Sequence, residues 1–186
     1  MKKITYIVAG VVALLICVVI AVSVKHLYPV ALVDGSPIWY STWNRYLSGM
    51  GHALDVEAKS TGQKFAPTTA VAQELRRGTL TTLIENKILE RSASVLLPNL
   101  DDLSEQKVAS VLSTSDHLGD ATQFIYGFDA KDFHDFILLP ISKREVIQSE
   151  FDAKKISFDA WLAGAKKKAR VRVLIGEYYW DGDKVK

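Results

Sequence analysis

The longest uninterrupted apolar run opens the chain, and residues 4–24 carry no charge. At about 1.5 Å per residue, such a run forms a helix of about 31 Å, which matches a hydrocarbon core of about 30 Å. Beyond it the pattern turns amphipathic. Residues 30–33 read as a short strand, Asp34-Gly35 is a strong turn signal, and Ile38 resumes apolar character. A helix is expected from about Tyr40, with Trp43, Tyr46, Leu47 and Met50 at helical spacing and with Gly49 and Gly51 weakening it. Residues 60–69, with Gly62 and Pro67, read as a break.

The strongest helical pattern covers residues 69–94. Leu75, Leu80, Leu83, Ile84 and Ile88 form one stripe, while Glu74, Arg76, Arg77, Glu85 and Glu90 fall largely off it, and Pro98 closes the segment. A short helix is expected at 104–112. Gly127-Phe128-Asp129 opens another, with Asp129 as cap and Asp132 near the positive end of the dipole. In that helix Phe133, Phe136, Ile137, Ile141 and Phe151 should face inward, and Pro140 should kink it. A further helix at 158–168 carries Trp161 and Leu162. Val171, Val173 and Ile175 then alternate with Arg172 and Leu174 as a strand, before Tyr178-Tyr179-Trp180 and an Asp181-Gly182 turn. The two strand segments are too short to stand alone and flank a helical body. They are therefore expected to pair in one small sheet, with a third strand around Ile38. The fold class is mainly α: one N-terminal transmembrane helix, then a helical domain with a small sheet made by the two ends of the exported chain.

Charge sets the topology. Lys2 and Lys3 precede the apolar run and outvote Lys25 behind it, so the N-terminus is expected in the cytoplasm. Residues 1–25 then form the cytoplasmic end and anchor, and 26–186 form an exported domain, periplasmic or extracellular, held at the inner (cell) membrane. Ala21-Val22-Ser23 also fits a signal-peptidase site, but the apolar run exceeds the 7–15 residues or so of a signal peptide, which favours retention. Cys17, the only cysteine, follows a bulky Ile16 where a lipoprotein site needs a small residue, so it reads as an apolar residue facing lipid.

The chain holds 23 basic and 21 acidic residues, and setting aside Lys2 and Lys3 leaves 21 against 21. A neutral exported domain argues against nucleic acid as a partner. The basic tract Lys166, Lys167, Lys168, Arg170 and Arg172 is local; it suits a solvated helix C-terminus, with contact to anionic lipid or polypeptide as the other reading. Catalytic signals are sparse. His26, His52, His117 and His134 form no His-Glu-x-x-His pattern. In His134-Asp135 and Asp116-His117 the partners are helical neighbours, which do not face each other. Gly49-Met50-Gly51 lacks the third glycine of a dinucleotide loop, and Asp181-Gly182-Asp183 is too short for a calcium loop. No enzymatic activity, cofactor or metal is expected.

The order of these elements resembles the N-terminal domain of SurA- and PpiD-type periplasmic chaperones. Ala31-Leu32-Val33-Asp34-Gly35-Ser36-Pro37-Ile38 is similar to the family's Val-Asn-Gly-x-x-Ile opening. Leu80, Leu83-Ile84, Asn86-Lys87 and Ile88-Leu89-Glu90 look like its long helix, and Tyr126-Gly127-Phe128-Asp129 with Asp132-Phe133 looks like its next helix start. The resemblance covers about residues 30–151, and it departs at Trp39, where the family usually has a capping Ser or Thr, which puts the start of the first helix as late as Ser41. Members commonly carry a parvulin isomerase domain after this point, but only some ten residues separate Phe151 from Trp161, so none fits. The resemblance implies the chaperone module alone, binding unfolded or newly exported polypeptides. Such a module needs an apolar groove, for which Trp39, Trp43, Tyr46 and Met50 are the candidates; packing in the core is the competing reading for each. The competing function is an adaptor that docks one folded partner in an envelope complex.

Overall fold

The computed structural model describes residues 28–114 and 118–186. The apolar run at 4–24 lies outside them, and among the described residues no helix is long and apolar enough to cross a membrane. The chain opens with a hairpin, β1 (Pro29–Val33) and β2 (Ser36–Trp39). Its two-residue turn places Asp34 at φ 48° and Gly35 at φ 81°. Both are left-handed, the conformation that lets a tight turn follow the right-handed twist of its strands. The last strand, β3 (Val171–Val173), pairs with β1 on its other side, giving the order β2-β1-β3. Ala31 sits opposite Val173, and the backbone N–H of Leu174 extends the ladder to the Val30 carbonyl at 2.8 Å. The two ends of the described chain are thus joined in one sheet, as the strand patterns imply.

The helices follow from α1 (Tyr40–Ser60) and α2 (Thr69–Ser94). The first starts directly after Trp39 with no side-chain cap, one residue before Ser41. The second is capped by Thr68, whose hydroxyl accepts from the Val71 N–H. Next come α3 (Leu100–Ser113) and α4 (Leu118–Tyr126). The third begins four residues earlier than its polar start at Ser104 suggests. Leu100 is buried as an anchor at its head, and Asp101 and Asp102 suit the positive end of the dipole. In the fourth, Thr122 is buried and Leu118 and Tyr126 pack half-buried on the cluster around Tyr46, while Phe124 and Ile125 face out.

The remaining helical body is α5 (Ala130–Phe133), a π turn (His134–Leu138) and α6 (Leu139–Ala153). Asp129 caps it, accepting from the Asp132 N–H at 2.8 Å. Pro140 has no N–H to donate, and its ring crowds the carbonyl four residues back. The helix widens in the turn just before it. A π turn inserts one residue and shifts the phase of every later side chain. Ile141, expected inside, is therefore half exposed, while Ser142 and Lys143 are buried. The last helix, α7 (Phe158–Lys168), is capped by Ser157.

Three clusters fill the interior. Val30, Ala31, Val33, Ile38, Trp43, Leu80, Ile84 and Ile88 join the sheet to α1 and α2, and Val185 reaches back into them. Leu89, Ala93, Leu100, Ile147 and Phe151 tie α2, α3 and α6 together, with Phe158 and Leu162 of α7. Tyr46, Phe128 and Phe133 seat α1 on α5 and the loop before it.

Candidate functional site

A groove of about 580 Å³ opens between β2, the first turns of α1, the middle of α2 and the π turn. That size falls within the roughly 300–1,000 Å³ of ligand clefts. Its apolar lining is Ile38, Leu83, Leu89, Phe136, Leu139 and Pro140. They come from three separate stretches of chain, β2, α2 and the π turn with the start of α6, so the groove exists only once the sheet, α2 and the proline-distorted helix are assembled. Ser41, Thr42 and Asn86 add neutral hydrogen-bonding groups.

The rim is charged but internally neutralised. Arg45 pairs with Asp132 at 2.9 Å, and Lys131 pairs with Asp135. Glu90 receives Lys87 at 3.0 Å and Lys143 at 2.9 Å, and Lys143 also reaches Asp101 at 2.7 Å. Burial acts to raise the Glu90 pKa, but the hydrogen bonds from Lys143 and Lys87 outweigh it and hold the carboxyl below its ordinary value. Burial likewise opposes the charge on Lys143, and Asp101 and Glu90 more than restore it, so its pKa lies above the ordinary lysine value. Both groups stay ionised and committed to each other. An apolar floor inside a rim of satisfied ion pairs offers little discrimination by ligand charge.

The four candidate residues separate. Trp39 lines the groove and is 42% exposed. Trp43 is buried in the sheet cluster, and its indole N–H donates to Thr79 Oγ1 at 3.1 Å. Tyr46 is buried with its ring 5.5 Å from that of Phe136, and Met50 packs half-buried on the same cluster. Trp43, Tyr46 and Met50 are thus not among the groove's lining residues, and Tyr46 meets it through Phe136. Leu89 and Leu139, which do line it, carry no signal beyond ordinary helical apolarity, and Pro140, which also lines it, announces a distortion of the helix but not a groove.

His134 is a correction to the sequence reading. Its Nδ1 lies 2.9 Å from Asp135 Oδ1, although the two are neighbours, and its Nε2 lies 3.0 Å from Glu105 Oε2 on α3. The widened π turn brings together side chains that a regular helix would splay. Asp135 and Glu105 together hold the His134 pKa above its ordinary value, against the opposing effect of burial. The arrangement is a clamp between α3 and the π turn, and no Ser or Cys appears among the groups it contacts. His52 lies elsewhere, against the Phe124 carbonyl at 3.1 Å, while His26 and His117 fall outside the described residues. Among the described residues no cluster of His, Cys, Asp or Glu is placed to hold a metal ion. No family model, no curated protein and no solved structure matches this chain.

Proposed function

We propose that this chain is a membrane-anchored, extracytoplasmic chaperone-like protein that holds unfolded or newly exported polypeptide in the groove beside β2. It works without ATP and without prolyl isomerisation. The observation that carries this reading is the groove itself: an apolar floor, neutral hydrogen-bonding groups, and a rim whose charges are already paired. Such a surface suits segments of varied sequence and modest affinity. The order of elements shared with SurA- and PpiD-type chaperones supports the same reading, as does the short connection where an isomerase would be inserted. The uncharged run at 4–24 and the leading Lys2 and Lys3 support a single-pass anchor with the domain on the outer side of the inner membrane.

An occupant of the groove is expected to bind through side chains. Pro37 lies on the open edge of β2 and has no N–H to offer a further strand. Its partner Leu32 belongs to the set of β1 positions whose backbone groups serve β3, so the Pro37 nitrogen faces away from the sheet. The edge is thereby blunted against strand addition.

The test is suppression of aggregation. The domain from residue 26 to 186 should slow light scattering by several unrelated denatured exported proteins at near-stoichiometric ratio, with nucleotide irrelevant. Leu139→Glu, in the groove, should weaken this effect, while Ile141→Glu, half exposed outside it, should not. Scattering unchanged across all clients would discard holding and favour the adaptor reading, in which the groove docks one native partner.

A further inference from the structure

The small sheet has two faces, and only one is used by the core. Ala31, Val33 and Ile38 are buried, and Val171, Val173 and Ile175 pack against them. Alternation sends the residues between them to the other side, except at the bulge between Pro29 and Ala31, where Val30 is buried as well. There Leu32 is half-buried, Pro37, Trp39 and Arg172 are exposed, and Leu174 is 50% exposed. Arg170 continues the row; its side chain is 88% exposed, and its guanidinium stands 3.7 Å from Asp34. The outer face therefore joins an aromatic and apolar patch to a pair of arginines. Within the basic tract Lys166 is the exception, committed to Glu85 at 2.9 Å and Asp183 at 2.8 Å.

The position of this face is constrained by chain length. Trp39 is the register partner of Pro29, the first residue of β1, and Leu174 bonds to Val30 beside it. Only residues 25–28 separate the uncharged run from Pro29. Fully extended, the five steps from Val24 to Pro29 reach at most about 18 Å. A headgroup layer is about 5–8 Å deep on each side of the hydrocarbon core. The start of β1 cannot then move far from the bilayer surface. Trp is enriched at both membrane–water interfaces, and the guanidinium of Arg suits phosphate groups.

We infer that the outer face of the sheet, at the end where β1 begins, lies on the lipid headgroups. Trp39 and Leu174 sit at the acyl boundary, and Arg172 and Arg170 meet anionic phosphates. The inference rests on reading residues 4–24 as a membrane span and is independent of what the groove holds. It fixes the orientation of the domain: Trp39 is shared by the outer face and the groove wall, so the groove opens beside the membrane surface.

The experiment uses the full chain in vesicles of phosphatidylcholine with or without phosphatidylglycerol. In a Cys17→Ala background, Leu174→Cys and, separately, Gln106→Cys on the far helix α3 are labelled with an environment-sensitive fluorophore. Lipids bearing an acyl-chain quencher are added. Quenching severalfold greater at position 174 than at 106 is expected. Arg170→Glu with Arg172→Glu should reduce it in vesicles containing phosphatidylglycerol. Equal quenching at both positions in protein that floats with the vesicles after an alkaline wash overturns the inference alone. A blue-shifted label at 174 that lipid does not quench also overturns it, since another protein surface, such as a second copy, then covers the face. Protein that fails to float overturns the membrane span and the inference with it.

Discussion

A methyl group added to Gly49 would lie 2.0 Å from Cε1 of Phe128. The glycine that weakens α1 as a sequence is what lets Phe128 lie against the helix, at the corner where the loop turns into α5. Gly49→Ala should therefore destabilise the domain. Overpacking costs about 1–3 kcal/mol, and the better helix propensity of alanine offsets about 1 of that. Gly51, two residues on, meets only Leu75 Cδ2 at 3.9 Å. Gly51→Ala should raise stability by up to about 1 kcal/mol. Denaturant unfolding of the two variants checks the contrast; a shift in the same direction for both would remove the packing role of Gly49.

The bond from Trp43 to Thr79 predicts a second asymmetry. Both residues are buried, and the Thr79 hydroxyl also donates within α2 to the Leu75 or Arg76 carbonyl. Thr79→Val keeps the volume but leaves the indole N–H in the core without an acceptor. The expected cost is about 1–3 kcal/mol. Thr114→Val removes only an exposed hydroxyl that bonds back onto the Ser110 and Val111 carbonyls, and it should change unfolding by less than about 0.5 kcal/mol.

These two relationships show what the amino-acid pattern carries and where it stops. The helix at 69–94 and the cap at Asp129 are local signals, the pairing of the chain ends follows from two strand patterns too short to stand alone, and each stands in the fold. The burial of Trp43 depends on a threonine 36 residues away, and helical spacing alone does not separate a buried tryptophan from an exposed one. Ile141 fails for a different reason: Pro140 announces a distortion, but not that a π turn would absorb it and move the inward face by one residue. The helix at 118–126 is short, and its inward residues Leu118 and Tyr126 stand at its two ends while Phe124 and Ile125 point outward, so no apolar stripe marks it. The groove adds a further difficulty, since it is bounded by segments that meet only in the assembled domain.

The His134 clamp predicts a pH dependence. Its pKa is raised in the folded protein by Asp135 and Glu105, so the protonated ring is the form that folding favours. Asp135 is shared with Lys131, and its own pKa is held low, since burial is outweighed by Lys131 and His134. The contribution of His134 is fully present below its unfolded pKa, near 6.5, and is lost as pH rises through the higher folded value. The midpoint difference between the native domain and His134→Gln should then be largest at mildly acid pH, still above the carboxylate range, and should shrink on the alkaline side. Thermal scans across that window check it; a difference independent of pH would mean that the ring acts only by packing.

Removing the last 17 residues tests whether the C-terminal segment is part of the core. Deleting residues 170–186 takes away β3 and its pairing with Ala31, Leu32 and Val33. It also uncovers the sheet cluster where Val171, Val173, Ile175, Tyr178 and Trp180 lie on it, and it empties the site of Val185. The Val185 N–H is held by Thr81 Oγ1 at 3.0 Å, and the Trp180–Val185 bridge closes over the Asp181 turn, so this end of the chain is folded onto α2. A fully buried branched side chain contributes about 1.5–3 kcal/mol, and domains are stable by only about 5–15 kcal/mol. Loss of Val185 together with half-buried Val171, Val173 and Ile175 is therefore comparable with the whole stability, and the truncated domain should unfold far below the intact one or fail to fold. A shorter deletion, of residues 181–186, keeps β3 and removes Val185, the bridge and the Lys166–Asp183 ion pair. It should lower the midpoint by an intermediate amount. If the midpoint is unchanged in both, strand pairing of the chain ends contributes nothing to stability, and the sheet is an ornament on an independently stable helical body.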